Sequence, residues 1–84
     1  MNVVIDRSII GQTVCYLAKS VVSENIVCHT HKVTGYMVEK GEDGIYACVR
    51  LDNGEWEKAS HLFYPEEEGL ARRRLEEKLK GIGK

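Results

Sequence analysis

The chain is poor in several things at once. Its 84 residues include one proline, one tryptophan and one phenylalanine, and neither sign of charge dominates. Twelve Lys and Arg against thirteen Asp and Glu leave a formal net charge of −1. Strong counterion-driven binding to nucleic acid rests on a cationic surplus, and the composition argues against it. No window approaches the ~18–20 consecutive apolar residues that a membrane-crossing helix needs. The opening MNVVIDRSII has no basic stretch followed by an apolar run and a small-residue cleavage site. A secretory leader is therefore not expected. Cys15, Cys28 and Cys48 are an odd number, which points to reduced thiols rather than a disulfide framework. The expected setting is cytoplasmic.

What is present is an ordinary globular mixture, 43% hydrophobic and 30% charged. Its length gives room for one domain. A core of this size is thin, which leaves oligomerisation or a partner as a source of extra stability.

Residues 1–64 read as strands and residues 65–84 as a helix. Residues 13–17, TVCYL, are β-branched and aromatic, and Gly11 before them suits a turn. Residues 26–40 are rich in Val, Thr, Ile and Tyr and hold no proline. That stretch is too long for a typical single strand. The interior Gly35 predicts a bulge or sharp bend, making one bent strand or two meeting there. In residues 45–51, Ile45, Ala47, Val49 and Leu51 alternate onto one face. Asp52-Asn53-Gly54 predicts a type I′ hairpin, with Trp56 on the returning strand. Residues 60–63 offer a last short strand.

Pro65 suits the first position of a helix, and Glu66, Glu67 and Glu68 complement its positive end. Leu70, Ala71, Leu75 and Leu79 fall at helical spacing and predict one apolar stripe. Glu68–Arg72, Arg72–Glu76, Arg73–Glu77 and Glu76–Lys80 stand four apart with opposite charge. Gly81 and Gly83 are expected to end the helix.

These features and the segment Leu62-Phe63-Tyr64-Pro65-Glu66-Glu67-Glu68-Gly69-Leu70-Ala71 resemble small phage and mobile-element proteins with an SH3-like barrel. In those proteins the last strand runs through a Phe into Thr-x-Glu-Glu-Ala and a C-terminal helix. Here Tyr64-Pro65 stands in place of the Thr cap, and Gly69-Leu70 in place of the Ala. The resemblance implies a mainly β fold, a small SH3-like barrel of about five antiparallel strands with one C-terminal helix. It also implies a mobile-element habitat, where some small proteins inhibit host defence, anti-CRISPR proteins among them.

Several constellations could carry chemistry. In a strand His29 and His31 share a face while Cys28 points away. The pair could hold zinc if Cys15, Cys48 or His61 completed the set. The bland reading is a polar strand face with a core cysteine behind it. Neighbouring Cys28 and His29 face apart, which counts against a Cys–His nucleophile. No Gly-rich phosphate loop is present, so no catalytic residue or cofactor is expected. Tyr16, Tyr36 and Trp56 could stack bases, with Lys32 and Lys58 on the backbone. Yet residues 1–64 carry six basic and eight acidic side chains, and so small a core needs Trp56 and at least two tyrosines as filling.

The reading that fits best is a non-enzymatic protein-binding module that occludes a surface of its partner, such as a host defence complex. Arg72, Arg73, Glu77, Arg50 and Tyr46 are its candidate contacts. A weak nucleic-acid binder is the alternative, and a zinc-stabilised domain the third. Exposed strand edges could also pair two copies into a homodimer. If phage-encoded, the protein would act in the host cytoplasm.

Overall fold

β-branched and aromatic residues dominate the chain up to Leu51, and in the computed structural model they form antiparallel strands. The structure describes residues 3–23 and 25–82. Strands β1 (Thr13–Lys19), β2 (Ile26–Gly41), β3 (Gly44–Leu51) and β4 (Trp56–Lys58) lie side by side in that order. Each is antiparallel to the next. Helix α1 (Glu68–Ile82) follows them.

The long stretch is one strand that serves two ladders. Residues 26–32 of β2 pair with β1, and residues 33–41 pair with β3. The register slips between Val33 and Gly35, at the bend that Gly35 predicts. Thr34 is the extra residue, and its hydroxyl donates to the Arg50 carbonyl at 3.2 Å. A bulge of this kind sharpens twist and swaps the alternation. Odd residues of β2 face the core before it, and even residues face that side after it.

The main core joins Val14 of β1, Val33 of β2, Val49 and Leu51 of β3, and Leu62. Val3 and Ile9 close its N-terminal end. Ile9 sits on a 3-10 turn, Arg7–Ile9, capped by Asp6, whose carboxylate accepts from the Ser8 N–H at 2.8 Å. A second cluster lies on the other face of β1, where Cys15 packs with Phe63 and Ala71, flanked by Leu17 and Cys28. β1 is thus covered on both faces, which explains why residues 14–18 read as an unbroken apolar run.

The strand expected over residues 60–63 does not form. Ala59–His61 is a 3-10 turn, and Phe63 alone makes an antiparallel bridge to Cys15, with bonds of 2.8 and 3.0 Å. Leu62 enters the main core and Phe63 the second cluster, so packing fixes two extended residues and no more. The described residues therefore make an open sheet of four strands and one helix.

The expectations for the second hairpin turn and for the helix start also change. Asp52-Asn53-Gly54 makes a three-residue loop instead of a type I′ hairpin, closed by Leu51 N–H donating to the Glu55 carbonyl at 2.8 Å. Gly54 takes φ +86, the left-handed backbone such a loop needs at its last position. Pro65 begins a 3-10 turn, Pro65–Glu67, before the α-helix. Glu67 there accepts from the Tyr64 N–H at 3.3 Å and returns its own N–H to the Tyr64 carbonyl at 2.8 Å. This reciprocal pair takes the place of a Thr cap.

The apolar stripe of α1 is shorter than expected. Ala71 is buried and Leu75 half-buried, whereas Leu70 and Leu79 are 41% and 49% exposed. The helix packs on β1 and on the Pro65 turn, both near its own start. Of the expected four-apart ion pairs, Glu68–Arg72 forms, at 2.9 Å, among the described residues. Gly81 continues the helix instead of ending it, and Gly83 lies outside the described residues. No helix among the described residues is long and apolar enough to cross a membrane.

Candidate functional site

Alternation along β3 turns Tyr46, Cys48 and Arg50 away from buried Val49 and Leu51. Cross-strand register sets Met37 beside Cys48 and Glu39 beside Tyr46. On the other flank Trp56 pairs with Arg50 and Lys58 with Cys48. Helix α1 covers the β1 half of this outer face and leaves the β3–β4 half open. Trp56 and Tyr46 are each 49% exposed, and Met37 is 40% exposed. Trp56 is therefore no core residue, contrary to expectation. Tyr16 and Tyr64 supply the aromatic packing against the main core.

Two glycines shape the patch. Arg50 donates from Nε to the Thr34 hydroxyl at 3.1 Å and from Nη2 to the Thr34 carbonyl at 3.5 Å. Its guanidinium lies across Gly35, where a Cβ would sit 3.6 Å from it. The Tyr46 ring lies over Gly41, where a Cβ would come within 2.5 Å of the ring. Arg50 is thus held in place before any partner arrives, which lowers the entropy lost on binding. Next to the patch β4 ends at Lys58, and residues 45–48 of β3 border a groove of about 320 Å³. Val3, Ile5, Ile45, Ala47, Lys58 and Ser60 contribute to its walls.

The opposite side carries the histidines. His29 and His31 share a face, as their spacing requires, and both stack on Tyr16, with centroids 5.0 and 6.2 Å from its ring. His31 Nδ1 lies 2.7 Å from Asp52 Oδ1, and the Lys32 N–H donates to Asp52 Oδ2 at 3.3 Å. The His31 bond first, then the Lys32 amide, hold the Asp52 carboxyl below the usual carboxylate range. A lowered pKa in the fold adds stability above the ordinary value near ~4, which is lost as pH falls through the lowered value. Asp52→Asn should flatten the fall in Tm between about pH 5 and pH 2.5, read by thermal melts. Asp6 and Glu68, also lowered, should keep some of the slope.

The zinc set does not assemble. Cys15 lies on the opposite face of β1, Cys48 on the outer face of β3, and His61 is paired with Glu57 at 2.6 Å. Among the described residues no group of three or more His, Cys, Asp or Glu is placed to hold a metal ion. Cys28 also points away from His29. Burial first, then Cys15 and Glu68, push its thiol up to about 11, so it stays protonated at neutral pH.

The base-stacking set is divided as well. Tyr16 and Tyr36 belong to the core side of the sheet, Trp56, Lys32 and Lys58 to the outer side. Of the helix candidates, Arg72 is occupied, donating to Glu68 and, at 3.0 Å, to the Ile26 carbonyl. Arg73 and Glu77 are exposed on α1, whose packing is against β1. Arg50 and Tyr46 do share one face. Trp56 and Met37 join them there, outside the contacts expected from the sequence; the signal is parity counted across the bulge for Met37 and across the β3–β4 loop for Trp56. No protein-family model, curated protein or solved structure matches this chain.

Proposed function

We propose that this chain is a non-enzymatic protein-binding module whose contact surface is the outer face of β3 and β4. The observation that carries this reading is the half-exposed set Trp56, Tyr46 and Met37 around a pinned Arg50. Trp, Tyr, Arg and Met are the residue types that concentrate at the energetic centres of protein interfaces. A solitary domain has no folding reason to leave them together in water. In this reading the fold is a small SH3-like barrel in which Phe63 acts as a rudimentary closing strand against Cys15. The resemblance to mobile-element proteins makes a host protein complex the class of partner, a defence complex included, with surface occlusion as the mode.

The test is an affinity capture from cytosolic lysate treated with nuclease, with wild type beside a Trp56→Ala, Tyr46→Ala double variant. The expected result is a stoichiometric protein that survives nuclease and moderate salt and is lost with the double variant. Loss of every partner after nuclease would overturn the proposal in favour of nucleic acid, whose binding falls steeply with salt.

A further inference from the structure

Beyond the end of β4, residues 38–41 of β2 and 44–47 of β3 leave the body of the sheet as a two-stranded ribbon. Residues 36–41 of β2 pair with β3 alone, because the β1 ladder ends at the Thr13–Lys32 pair and the bonds of Val33 to Gly11 and Gln12 close the contact there. The radius of gyration, 13.8 Å, exceeds the about 12 Å of a compact chain this long. A ribbon of two strands is marginal in water. The free outer edge of β2, residues 36–41, is longer than the free stretch of β3 beyond β4, residues 44–47. β4 has three residues, and β1 is bridged by Phe63 and covered by α1.

We propose that the outer edge of β2 pairs antiparallel with the same edge of a second copy, about a two-fold axis at Val38. Two independent features select this register. The first is hydrogen-bond parity. Gly41 and Gly44 close a two-residue turn, so they form a hydrogen-bonded pair, as do Glu39–Tyr46 and Met37–Cys48. The N–H and C=O groups of Tyr36, Val38 and Lys40 therefore point outward. A two-fold at Val38 sets these three against Lys40, Val38 and Tyr36 of the second copy, in matching phase.

The second feature is charge. The edge carries Glu39 and Lys40 next to each other. An axis at Glu39 would oppose two carboxylates, and an axis at Lys40 two ammonium groups. An axis at Met37 would run the ladder into the bulge at Thr34 and shorten it. With the axis at Val38, residues 35–41 all pair, Lys40 meets the Tyr36 ring of the other copy, and Glu39 meets Met37. Lysine against an aromatic face is favourable, and no like charges are opposed. The axis stands perpendicular to the sheet, so both outer faces lie on the same side and the two Trp56 patches become bivalent. The pairing itself uses the strand edge and stands whether or not the outer face binds a partner.

Sedimentation velocity from about 1 to 200 μM, with residue-resolved amide exchange, tests this on the full chain. Wild type is expected to reach dimer mass, and the amides of Tyr36, Val38 and Lys40 to exchange at least tenfold more slowly than in dilute protein. Val38→Lys places two ammonium groups at the axis and should give a monomer whose Tm matches that of wild type diluted to monomer and no longer rises with concentration. Val38→Pro should do the same, since it removes an N–H that β3 does not use. A wild-type monomer at 200 μM overturns the proposal. So does a dimer whose protected amides are Ile45 and Ala47, or one that Val38→Lys leaves intact.

Discussion

Leu51→Ala is expected to lower the melting temperature by at least about 10 °C and to leave the domain largely unfolded at 37 °C. Leu51 is 1% exposed and packs with Val14, Val33, Val49 and Leu62, from three strands and the segment after them. Truncating a buried leucine costs about 2–5 kcal/mol, through lost transfer energy and the cavity left behind. A chain this small has roughly 4–12 kcal/mol in all. The same 3-carbon truncation at Leu79, half-exposed beyond the helix contacts, should move stability by less than about 0.5 kcal/mol. A pair of thermal melts checks both. Equal losses would mean that α1 is packed along its whole length, against the packing described above.

Trp56→Ala is the counterpart on the surface. It should weaken partner binding by about 30-fold or more, the effect of losing an interface centre worth ~2 kcal/mol. Its Tm should stay within a few degrees of wild type, because half of the side chain is already in water. Titration calorimetry against the captured partner, beside a melt of each variant, separates the two quantities. A large loss of stability with unchanged affinity would return Trp56 to the core role that the sequence suggests.

Much of the sheet is legible in the sequence, and the reason is local. Val49 and Leu51 alternate with polar neighbours, and Gly35 interrupts a stretch too long for one straight strand. The outer site was harder to see. Trp56 reads as core because a small domain has few large residues, yet its place was decided by pairing with Arg50 across the β3–β4 turn. That pairing depends on a three-residue loop where Asn-Gly suggests two, and one residue of register reverses a face. Tyr16 and Tyr36 share the core side of the sheet because Thr34 is the extra residue of the bulge; no periodicity within β2 reveals which of its residues that will be. The N-terminal plug of Val3 and Ile9 carries no strand or helix pattern, and only the packed core discloses it. The C-terminal stripe misled for the opposite reason: its spacing is helical throughout, but the sheet beneath α1 ends before Leu79 does.

Hydroxyl-radical footprinting of the free protein and of its captured complex tests the outer-face proposal most directly. Trp56, Tyr46 and Met37 should each lose several-fold reactivity in the complex, while Leu79 on the distal helix and Tyr16 on the other side of the sheet keep theirs. Unchanged oxidation at Trp56 together with protection of Leu79 would contradict it and move the contact surface to α1.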